Sequence, residues 1–85
     1  MENDIKIGSK VKLLYWRNNE LVDGEVVEIL LERYLFDYKT IVKVEFYVKS
    51  FGCWVIESYY INDFIEAMKK AQEAMKKAQE VDNKS

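Results

Sequence analysis

The chain has no proline, no histidine, one cysteine and three glycines in 85 residues. Without histidine, the usual general base near neutral pH and the commonest metal ligand are both missing. One cysteine permits no intrachain disulfide, and with no histidine to join it no Cys/His zinc site can be assembled. Glycine is too sparse to form a Gly-rich loop ahead of a helix, so no phosphate cradle is visible. No stretch approaches the roughly 20 apolar residues that cross a bilayer. A strong charge of one sign is lacking too. The net is −2, which argues against a general nucleic-acid binder but leaves room for a local basic face. Neither catalysis, nor a metal, nor any other cofactor is expected.

What is present points to one small globular domain. Apolar residues make up 49% and aromatics 14%, enough for a core near the lower size limit for folding without staples. The opening MENDIKIG has no basic segment followed by a long apolar run, so a soluble, cytoplasmic setting is expected. Eleven lysines against two arginines, with many Ile, Asn, Tyr and Phe, follow the coding habit of an AT-rich genome such as that of a low-GC bacterium or its phage.

Period-two alternation marks the strands. In Ile5 to Trp16, Val11, Leu13 and Tyr15 alternate with Lys10 and Lys12. Arg17-Asn18-Asn19-Glu20 forms a polar turn, and Asp23-Gly24 is the next turn signal. Glu25 to Leu31 is a second strand with Val27, Ile29 and Leu31 on one face, and residues 32–40 read as a longer connection. Ile41 to Lys49 is the clearest strand, with Val42, Val44, Phe46 and Val48 facing in. Ser50-Phe51-Gly52 turns the chain into Cys53 to Tyr60. Cys53 is expected in the core, as unpaired cysteine usually is.

At Asn62-Asp63 the period changes. Asp63 and Glu66 have capping-box spacing, and Phe64, Met68, Ala71, Met75 and Ala78 recur every three or four residues. The reading is a β-domain over 1–62, a helix over 63–81 that packs on it and extends beyond, and a frayed tail at 82–85. Residues 66–80, EAMKKAQEAMKKAQE, repeat one heptad and keep a thin apolar stripe aligned.

IKIGSKVKLLY followed by LVDGEVVEI resembles the opening of a small SH3-like barrel of the Tudor or KOW type, with Ile7, Gly8, Val11, Gly24 and Val27 at the matching positions. The closing WVIESYYINDF is similar to small barrels encoded by bacteria and phages. The resemblance implies a mainly β fold with one C-terminal helix, an antiparallel barrel of four to five strands. It implies no activity.

Six aromatics, Tyr15, Trp16, Tyr47, Trp54, Tyr59 and Tyr60, cannot all point inward, because strand neighbours face opposite sides. One reading places Tyr15 and Trp54 in the core. The other opens Tyr15, Trp16, Tyr47, Trp54 and Tyr59 to a partner protein. A protein-interaction module is expected, of the kind by which a phage or mobile element could block a host protein. Self-association is expected through Met68, Ala71, Ala74, Met75 and Ala78. The alternatives are a nucleic-acid platform using Lys6, Lys10, Lys12, Arg17 and Lys43, and a purely structural oligomer.

Overall fold

A computed structural model describes residues 5–84, except for the side chains of Tyr34 and of residues 78–84. Four strands, β1 (Lys10–Leu14), β2 (Leu21–Tyr34), β3 (Asp37–Val48) and β4 (Cys53–Tyr60), precede one helix, α1 (Ile61–Lys84). Each strand pairs antiparallel with its neighbour in the chain, in the order β1-β2-β3-β4. The molecule is therefore mainly β with a C-terminal helix. The expected closed barrel is corrected to an open sheet, because no ladder joins β1 to β4. What bridges that gap is α1, which lies mainly along β1 and sends Phe64 into the core.

The core lies between the sheet's inner face and α1. It holds Leu13 and Tyr15, Val22 and Val26, Val42, Val44, Phe46 and Val48, Tyr59, Phe64 and Ala67. The alternation predicted for β3 is seen in full, since all four of its inward residues are buried. In β2 the predicted face is wrong at its start. A bulge between Val26 and Glu28 adds a residue and flips the parity, so Val22, Gly24 and Val26 face in and Val27 is extruded. Gly24 is no turn. It lies inside β2, where a Cβ would meet Val44 Cγ1 at 2.6 Å. Glycine here permits close packing of two strands.

Residues 32–40 are not a long connection. β2 and β3 continue to the pair Tyr34↔Asp37, leaving Leu35-Phe36 as a two-residue loop. Leu35 has φ +57°, the left-handed region that turn glycines normally occupy. The helix begins two residues earlier than predicted, and Asp63 sits in its first turn, where the helix dipole favours a carboxylate. The helix continues to Lys84, and Ser85 lies outside the described residues. Among the described residues no helix is long and apolar enough to cross a membrane.

Candidate functional site

Among the described residues, no layer covers the outer face of the sheet. Across it, Lys10 pairs with Glu25 at 2.9 Å, Lys12 with Asp23 at 2.6 Å and Lys43 with Glu28 at 3.6 Å. Such exposed cross-strand pairs contribute only ~0–1 kcal/mol each. They do neutralise three of the lysines that a nucleic-acid surface would need. Arg17, a fourth cation of that set, reaches Glu57 at 3.5 Å and stacks 4.5 Å over the ring of Trp16.

Among the aromatics, Tyr47 and Trp54 are directly opposed on β3 and β4, both outward, with ring centroids 5.5 Å apart in an edge-on arrangement. Trp54 is thus on the surface and not in the core. Trp16 is also exposed but separate from that pair, at a groove it shares with Ile41, Ser58 and Tyr60. Tyr15 and Tyr59 are corrections in the other direction. Both rings are buried, so neither offers a partner a surface.

Tyr15 instead helps to hold the sheet's curl. Its hydroxyl donates to Glu57 at 2.6 Å, joining the end of β1 to β4 where no ladder does so. Burial, then the bond to Glu57, pushes this phenol above its ordinary value. Tyr59 is pushed up to about 12, first by burial and then by the nearby Glu57 charge, and its buried hydroxyl has no hydrogen-bond partner among the described residues. Glu20 ties the two turns at one end of the sheet. It accepts from the Lys49 amide at 2.7 Å and the Ser50 hydroxyl at 2.6 Å. These bonds, the Ser50 hydroxyl foremost, hold its carboxyl below the ordinary range.

The helix stripe is used differently from what its repeat suggests. Ala71 is fully buried, and Met68 packs against the core, so both are occupied inside the fold. Ala74 and Met75 are half-buried, and the Ala78 side chain lies outside the described residues. Cys53, expected in the core, is exposed where β4 begins. Among the described residues no three of Cys, Asp and Glu gather in a group able to hold a metal.

Sequence reasoning missed the hairpin tip. Phe36 is 99% exposed and Leu35 74%, with Leu31 and Tyr38 exposed just behind them. A signal was available. Glu32 and Lys39 carry opposite charges at positions symmetric about Leu35-Phe36, as cross-strand partners in a tight hairpin do. No family model, no curated protein and no solved structure matches this chain.

Proposed function

We propose that this protein acts by binding another protein, with the β2–β3 tip as an anchor seated in an apolar pocket of the partner. One observation carries the reading. A leucine held in the left-handed region costs about 1–2 kcal/mol, and the tip's apolar side chains return nothing to the fold because they touch almost none of it. Aromatic and aliphatic anchors in desolvated pockets are where interfaces concentrate their energy. Blocking of a host protein by a small phage or mobile-element product is the biological form this reading takes.

The test is a photo-crosslinking amino acid at Phe36, used in cells of the native host, against the same group at Lys69 on the exposed side of α1. A discrete adduct found at 36 and absent at 69 is expected. Leu35→Gly should abolish the adduct while leaving stability unchanged or higher by up to ~1 kcal/mol. No adduct at 36, or the same adducts at both positions, would sink the reading.

A further inference from the structure

The two edges of the sheet are defended unequally. β1 carries Lys10 and Lys12 outward and has α1 along its side. Lysines on an edge and a covering helix both discourage strand-to-strand association. β4, CWVIESYY, has no lysine, no bulge in its ladder and one charge, Glu57, and α1 lies against it less than against β1. That charge is a poor guard, since it lies on the inner face and is held by Tyr15 and Arg17. Among the described residues no strand lies beyond β4. On its outward side stand Trp54, Ile56, Ser58 and Tyr60. The three large ones are 65%, 59% and 50% exposed.

We infer that β4 pairs antiparallel with β4 of a second copy, about a twofold axis passing through Ile56. The register follows from parity. Directly opposed residues in a continuous sheet share a face, so their numbers must add to an even sum. Two such registers centre on this strand. One opposes Glu57 to itself, placing two carboxylates side by side, which is destabilising. The other opposes Ile56 to itself, Val55 to Glu57 and Trp54 to Ser58, with no like charges opposed. In that register each Trp54 ring falls beside the smallest outward residue of β4. There it meets a groove of about 590 Å³ walled by Trp16, Ile41 and Tyr60. The fit occurs twice, as a twofold interface requires.

This mutual match favours a second copy over an unrelated strand, and a net charge of −2 per chain opposes it little. On two copies the three large side chains expose roughly 700 Å² in all, to which main-chain pairing adds. Standard interfaces begin at about 1,200 Å², so the dimer is expected at the small, weak end of the range.

The inference is independent of the hairpin tip, and Phe36→Ala should leave the dimer intact. Sedimentation velocity across roughly a hundredfold concentration range should show the mass rising from one chain towards two. Ile56→Lys and, separately, Trp54→Glu should hold it at one chain with an unchanged circular-dichroism spectrum. In a Cys53→Ser background, Ile56→Cys should form a disulfide dimer under mild oxidation, because opposed residues lie about 4.5–5.5 Å apart, within disulfide range. Lys12→Cys in that background should not. A single-chain mass throughout, or a dimer that survives Ile56→Lys, overturns the proposal.

Discussion

β1 and β4 are both edge strands of one sheet, yet they meet their surroundings in opposite ways. β1 is five residues long, alternates lysine with apolar residues, and lies under the helix. β4 is eight residues long and nearly uncharged, and its outward side chains face solvent. The helix thus lies beside one edge strand, while the other shows its outward side chains to solvent. Edge strands left long and apolar act as templates for further pairing. The contrast teaches that this fold protects itself by placing one helix, and the helix can cover only one edge.

Removing the cover gives the largest effect. Phe64→Ala deletes the ring that seats α1 and should lower stability by about 3–5 kcal/mol, read as a fall in the urea midpoint. If β1 is guarded by the helix, the remaining folded fraction should also aggregate. If it stays soluble, the lysines alone suffice and the comparison weakens. Tyr59→Phe probes the buried polar defect at the other edge. Eliminating a hydroxyl without a partner should raise stability by about 1–3 kcal/mol.

The same variant has a pH signature. The Tyr59 phenol is pushed from 10.0 to about 12 in the fold. Its contribution is therefore complete below pH 10 and is lost as pH rises from 10 through about 12. Denaturant midpoints between neutral pH and that range should fall less in Tyr59→Phe than in the parent.

Lys12→Ile tests the covered edge more gently. With α1 in place, sedimentation should show no new association and stability should move by less than about 0.5 kcal/mol. New association would show that charge, not the helix, guards β1. The smallest effect is set by Glu20, which joins the turns at the ends of both edges. Its carboxyl is held below the ordinary value of 4.5, so its contribution is complete above that pH and disappears as pH falls below it. Glu20→Gln should narrow the difference in denaturant midpoint between pH 7 and strongly acidic solution.

Several of these features were legible before any coordinates. Val42, Val44, Phe46 and Val48 read as an inward row because β3 is regular and its two faces differ in polarity. The helix was legible from its period, although not its use. Alanines at 67 and 71 let α1 settle close to the sheet, so a stripe that looked unpartnered is partly core. Three things were hidden. A bulge leaves no mark in composition, so Val27 read as sharing a face with Ile29 and Leu31. Asp23-Gly24 has turn chemistry, but Gly24 serves the approach of Val44. Leu35-Phe36 lacks turn chemistry altogether, which is why the hairpin read as a loop and its apolar tip went unseen. For the candidate surface, Trp16, Tyr47 and Trp54 are exposed, against the reading that put Trp54 in the core. Which member of an adjacent pair turns outward depends on register, and Tyr15 and Tyr59 went the other way.

The chain-order pairing of the strands has a consequence for how the protein is born. Every ladder joins consecutive segments, so the sheet can assemble as it leaves the ribosome, whereas the seat of Phe64 stays vacant until α1 has been made after all four strands. During that interval β1 is uncovered and Lys10 and Lys12 are its outward-facing charges. Limited proteolysis of nascent chains arrested before and after α1 would reveal whether the meander precedes its cap; equal susceptibility at both lengths would show that it does not.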